Sequence, residues 1–238
     1  MASPTVFERY EIKYLLDRAQ KEAVMAAMES RMEPDSYGRS TIRSIYYDTE
    51  TYLLIRRSLE RPVYKEKLRV RSYRAAGPCD RVYIELKRKY RSVVYKRRTD
   101  ICQKDAADYL AGRIPAPTPC QITDEIDYFR RYYGTLAPRV FLSSEREAFF
   151  EKDSEFRVTF DENILWRTTD LSLAAGVYGE RILKPGQTLM ELKTAGGIPL
   201  WMVDVLTNQR IRKTSFSKYG NAYLAMLERD KKEEKVYA

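Results

Sequence analysis

The stretch Lys67-Leu68-Arg69-Val70-Arg71-Ser72-Tyr73 decides the fold, because its cations and apolar residues strictly alternate up to Ser72. Period two marks a β-strand, whose successive side chains point to opposite faces. Lys67, Arg69 and Arg71 share one face, Leu68 and Val70 the other. Residues 81–87 repeat the pattern, with Tyr83, Glu85 and Lys87 opposite Val82, Ile84 and Leu86. Outward from these segments the alternation returns in residues 9–14, around Arg43, in VVYKRRTDI with Lys96 and Arg98, in residues 155–161 and in residues 189–193.

Many strands with one cationic and one apolar face have a simple closed solution. The sheet curls into an antiparallel β-barrel with a cationic lumen, and helices pack outside against its apolar face. Unpaired buried charge is costly, so such a lumen is wet or filled by a polyanion. The few inward carboxylates, Glu11, Glu85 and Glu191, are then salt-bridge partners or ligands for a hard divalent cation. The fold class is α+β.

The charge is distributed to match. Lys and Arg number 43 against 34 Asp and Glu, a net +9. Residues 1–120 hold 25 basic and 16 acidic side chains, while 121–238 hold 18 of each. Residues 61–98 alone carry 14 basic to 3 acidic. That excess calls for an anionic partner. Its spread over alternating strands argues against nucleic acid, whose binders gather their cations on one helix or loop face.

Helices are expected over 17–30, with Asp17 as N-cap, near 123–133 and over 217–230, with a short turn at 105–111 closed by Gly112. Pro115–Pro119 reads as a connector between two similar halves of one domain, about 1–112 and 122–230. Glu85-Leu86-Lys87 and Glu191-Leu192-Lys193 echo each other across it. Arg88, Lys89 and Arg91 are expected in a solvated turn, and 231–238 as a solvated tail. Asp161 is open to two readings, metal ligand or strand-end turn residue. Trp166 and Trp201 read as core or interface residues.

Zero histidines exclude histidine-based catalysis and histidine metal sites. The three cysteines, Cys79, Cys102 and Cys120, have no CxxC spacing, which favours a reducing, cytoplasmic setting. No stretch is long and apolar enough for a membrane helix, and the N-terminus lacks an apolar signal core.

Taken together, Arg9-Glu11-Lys13, Ser44–Thr49, Lys67–Arg71, Ile84–Lys87, Ser144–Phe149, Arg157–Asp161, Met190–Lys193 and Phe216–Tyr219 resemble the VTC domain, in order and over about residues 5–228. This is the polyphosphate-polymerase domain of the vacuolar transporter chaperone type, within the triphosphate tunnel (CYTH-like) superfamily. The resemblance implies transfer of the ATP γ-phosphate to a growing polyphosphate chain that leaves through the tunnel. Inorganic triphosphatase activity and a non-catalytic polyphosphate-binding module are the alternatives. It implies Mn²⁺ or Mg²⁺ as cofactor, and ATP, polyphosphate and triphosphate or pyrophosphate as partners. Eukaryotic relatives work at a membrane, so a membrane-protein partner is also implied.

Carried over, Lys13, Arg69, Arg71 and Lys87 are the catalytic cations. Lys96, Arg146, Arg157, Lys193, Ser217 and Lys218 bind phosphate with them, and Glu191 and Glu11 hold the metal. Two departures stand out. Hydrolytic and cyclase members begin ExExK where this chain has Arg9, which tilts the reading towards polymerase. The family also often carries lysine where Ser215 stands.

Overall fold

A computed structural model describes residues 10–91 and 93–237, with side chains through 232. Arg9 and the last residues of the expected tail lie outside the described side chains. In the first half, β1 (Tyr10–Leu16) leads into α1 (Arg18–Met28), β2 (Met32–Pro34), β3 (Ser40–Asp48) and α2 (Leu53–Leu59). A meander of β4 (Tyr64–Ser72), β5 (Arg81–Tyr90) and β6 (Val93–Cys102) follows, then α3 (Gln103–Leu110). The second half runs α4 (Gln121–Tyr133), β7 (Ala137–Glu151), β8 (Arg157–Arg167), β9 (Glu180–Arg181), β10 (Thr188–Thr194), α5 (Leu200–Asn208), β11 (Lys213–Thr214) and α6 (Lys218–Tyr237).

Every strand pairing is antiparallel, and all the strands join one sheet in the order β11-β1-β10-β8-β7-β3-β4-β5-β6, with β2 on β7 and β9 on β8. The sheet is continuous across the proline-rich connector, because β1 pairs with β10 and β3 with β7. It curls into a tunnel-like trough and does not close. Ladder hydrogen bonds are absent between β1 and β6 among the described residues; instead the Lys87 ammonium on β5 reaches the Glu11 carboxylate on β1 at 2.8 Å.

The alternating faces do what their chemistry requires. Leu68, Val70, Val82, Ile84 and Leu86 are buried on the convex side with Ala106, Tyr109 and Leu110 of α3 and Ile126 and Phe129 of α4. Tyr14, Val158, Phe160, Met190 and Leu192 are buried likewise with Val24 and Met28 of α1 and Met202 and Leu206 of α5. Asp17 caps α1 as expected: its Oδ1 accepts the Gln20 N–H at 2.8 Å, and Gln20 returns the bond.

Two helices depart from the expected outer cover. Tyr219, Ala222, Tyr223 and Met226 of α6, with Ile55 of α2, pack against Tyr46, Val140, Leu142, Leu189 and Trp166, on the same side as the cations. Asp48 ties this end together. Its carboxylate accepts the Leu54 and Ile55 N–H groups of α2 at 2.9 and 3.0 Å and the Tyr219 hydroxyl of α6 at 2.9 Å. Burial nevertheless holds the Asp48 carboxyl above its ordinary value.

Arg88 and Lys89 lie in β5 and not in the expected turn. The ladder continues to Tyr90 opposite Tyr64, and Arg88 reaches Glu125 on α4 at 2.6 Å. Asp161 lies within β8, fully buried, and is not a turn residue. Trp166 is core, and no helix among the described residues is long and apolar enough to cross a membrane.

Candidate functional site: a cationic concave face

Residues opposite one another across an antiparallel ladder share a face, so the register assembles the site. Lys67 faces Lys87, Arg69 faces Glu85, and Lys87 faces Lys96. Across the trough Arg146 faces Asp161, Glu191 faces Lys13 and Lys193 faces Glu11. Lys218 enters from the first turn of α6. Nine cations (Lys13, Lys67, Arg69, Arg71, Lys87, Lys96, Arg146, Lys193 and Lys218) thus meet four carboxylates (Glu11, Glu85, Asp161 and Glu191).

Around Arg69 and Arg146, each guanidinium has a carboxylate of its own, whereas Arg71 shares Glu85 with Arg69 at 3.9 Å. Arg69 grips Glu85 Oε2 through Nε and Nη2 at 2.8 and 2.6 Å and donates from Nη1 to the Tyr46 hydroxyl at 2.9 Å. Arg146 grips both oxygens of Asp161 at 2.8 and 2.6 Å, and Lys218 adds a 2.5 Å contact to the same carboxylate. Burial opposes ionisation of Glu85 and Asp161, but the adjoining cations win and hold both well below the ordinary carboxylate range. One carboxylate cannot balance two cations, and the guanidinium keeps its proton. Burial, with help from Arg146, therefore pushes the Lys218 ammonium down to about 7 despite Asp161.

Around Lys67, charge is not matched. Its Nζ donates to the Ser217 hydroxyl at 2.8 Å, and its neighbours are Lys13, Lys65, Lys87 and Arg69. Burial, reinforced by those cations, drives its pKa well below the ordinary lysine value. Lys13 donates to the Phe216 carbonyl at 2.9 Å and lies 3.6 Å from Glu191, which Lys193 approaches at 3.4 Å. Burial also lowers Lys193.

The structure therefore gathers Lys13, Arg69, Arg71, Lys87, Arg146, Lys193, Lys218 and the more exposed Lys96, 3.9 Å from Glu85. Ser217 is present as the cap of α6, its hydroxyl accepting the Gly220 N–H at 3.0 Å. Arg157 is not gathered: it follows the shared face opposite Lys193 but stands exposed at the rim. Sequence reasoning passed over Lys67 as a site residue, although its alternation with Arg69 and Arg71 was the signal. Asp161 was open to two readings, metal ligand or turn residue, and neither was its role as the buried partner of Arg146, which depends on a register no local pattern specifies.

Among the described residues no three acidic or cysteine side chains converge to cage a metal. Glu11 is held by Lys87 at 3.1 and 2.8 Å, and Glu191 lies between two lysines. This donor set fits a Mg²⁺- or Mn²⁺-sized ion that shares one or two carboxylates with several phosphate oxygens, and it does not fit an all-protein cage. A cavity of about 600 Å³ lies off this face, bounded by Lys21, Glu147, Glu162 and Thr188. Within the trough, a void of about 10 Å³ remains among Ser44, Tyr46, Arg69, Arg71 and Lys218. The charge and the chemistry sit in the trough, so the larger cavity is not the primary site.

An antiparallel trough lined with arginine and lysine defines a tunnel-like fold whose concave face carries an excess of positive charge. Solved structures agree on that fold. A candidate adenylate cyclase from Bacillus halodurans superposes with a TM-score of 0.55 at 13% identity, covering 89% of this chain and 94% of that one. A second, from Vibrio parahaemolyticus, gives 0.50 at 12% identity, covering 90% and 97%. No curated protein sequence matches significantly. The family model of the VTC domain matches residues 8–227, and the chain belongs to that family.

Proposed function

We propose that this chain is a polyphosphate polymerase, moving the γ-phosphoryl group of ATP onto the terminal oxygen of a polyphosphate chain. The observation that carries the reading is the excess of nine cations over four carboxylates on one concave face. The bond between the β,γ-bridging oxygen and the γ-phosphorus breaks, a new bond forms to the chain's terminal oxygen, and ADP leaves. No side-chain nucleophile is required, because the acceptor is itself a phosphate oxygen. Catalysis is then positioning and charge neutralisation by Arg69, Arg71, Arg146 and the lysines. Arginines suit bidentate grips and lysines act as point charges. Glu191, with Glu11 beside it, would hold a divalent ion, which when bound neutralises phosphate charge. Three free thiols support a reducing, cytoplasmic setting.

The test is incubation with γ-labelled ATP and Mn²⁺, with the products resolved on a gel. A ladder of phosphate chains supports the polymerase, and orthophosphate alone replaces it with a triphosphatase. Tight tripolyphosphate binding without turnover replaces it with a binding module, a reading favoured by the lysines already engaging Glu11 and Glu191. Glu191→Gln should abolish metal-dependent turnover and leave phosphate binding largely intact.

A further inference from the structure

The chain has 19 tyrosines, and one group of them is exposed where the trough ends, away from α6. Tyr83 on β5 faces Arg71 across the ladder, so its ring stands on the concave side next to a phosphate-binding candidate. Arg98 on β6 lies 3.4 Å from the Tyr83 ring centroid and 5.5 Å from that of Tyr73, which follows β4. The two rings meet edge to face at 5.8 Å. Beyond them Tyr37 runs almost parallel to Tyr73, at 17° and 6.5 Å between centroids.

That spacing is unlike the closed stack of Tyr46 on Tyr219 beneath α6, at 4.5 Å. Tyr46 and Tyr219 are buried, whereas Tyr37 is 78% and Tyr73 40% exposed. A tight turn holds Tyr37 up, its N–H donating to Asp35 Oδ1 at 3.0 Å and Gly38 following at φ +54. Exposed, parallel, widely spaced rings beside a guanidinium form a surface on which a further planar group can stack.

We propose that Tyr37, Tyr73, Tyr83 and Arg98 form a platform for the base of a nucleoside triphosphate whose phosphates extend past Arg71 into the trough. This rests on the polymerase reading above and specifies its donor as a nucleotide bound partly through its base. The platform offers ring faces and a cation, so it accepts any base that stacks. Purines, with the larger ring system, are held better than pyrimidines.

The test measures binding of ATP and of tripolyphosphate, which has no base, to the full chain and to Tyr73→Ala, Tyr37→Ala and Tyr73→Phe. Stacking on one ring is worth about 5- to 150-fold in affinity. Tyr73→Ala should lose ATP affinity by a factor in that range, Tyr37→Ala should weaken it too, and Tyr73→Phe should retain it. Tripolyphosphate affinity should stay the same throughout. Unaltered ATP binding in both alanine variants overturns the platform while leaving the tunnel standing, as does an equal loss for both ligands. A wild-type chain that binds neither ligand overturns the tunnel reading, and the platform with it.

Discussion

Lys67 and Arg69 stand two residues apart on one strand and point the same way, yet their surroundings are opposite. Arg69 has the Glu85 carboxylate and the Tyr46 hydroxyl; Lys67 has one serine hydroxyl and four cations. The surroundings of Arg69 supply its counter-charge, so that pair helps hold the trough together. The lysine surroundings store repulsion that an anion would relieve. A single cationic face thus combines a structural part with a receptive part.

The sharpest way to break this distinction is Arg69→Ala. It removes both hydrogen bonds from Arg69 to the buried Glu85 carboxylate, leaving it Arg71 and Lys96 at 3.9 Å, and should cost about 3–5 kcal/mol in denaturant unfolding of the ligand-free protein. From the sequence alone the same change looks nearly neutral, because water would replace a lumen cation; wild-type stability would restore that view. Leu68→Ala, on the convex face between the two cations, should cost about 2–5 kcal/mol through the cavity it leaves, with tripolyphosphate affinity unchanged. Altered affinity there would mean that the faces are not independent.

Lys67→Met should behave oppositely to Arg69→Ala. Ligand-free stability should hold or rise, while tripolyphosphate binding weakens about tenfold, the worth of one charge-assisted hydrogen bond. A fall in ligand-free stability would show that the Ser217 hydrogen bond outweighs the repulsion from the neighbouring cations.

The smallest effect is in pH. With the Lys218 ammonium pushed to about 7 from 10.5, the unfolded chain binds more protons than the folded one between those values. Ligand-free stability from this group therefore rises with pH across that window. Tripolyphosphate should restore the proton, giving uptake near pH 8 in calorimetry with buffers of different ionisation heat. Uptake that persists in Lys218→Met would assign the proton elsewhere.

Much of this was legible in the chain, for a definite reason. Alternation in β4 and β5 determines which side chains share a face, and that reveals both the cationic surface and its apolar backing. Pairing partners are another matter. That Arg69 meets Glu85 and Arg146 meets Asp161 depends on register, which no single strand encodes. Closure was misjudged because the meeting of β1 with β6 depends on accumulated twist. The pattern SKYGNAYLAMLERD announces a helix with an apolar side but not the surface it covers. Helix α2 went unseen because seven residues with two arginines carry little periodicity, and its first turn is held by Asp48, five residues upstream.

The placement of α6 has a consequence for the order of events. Tyr219, Tyr223 and Met226 pack over one end on the side of the cations, so on the polymerase reading proposed above a long product would leave by the mouth it entered or by the seam between β1 and β6. A linear anion longer than the trough then remains a tether with its far end in solution. A site of this shape senses only the nearest few links of such a chain and has no means of counting the rest. Product length would then be set by how often the tether slips free against how often a new donor arrives, and not by any dimension of the protein.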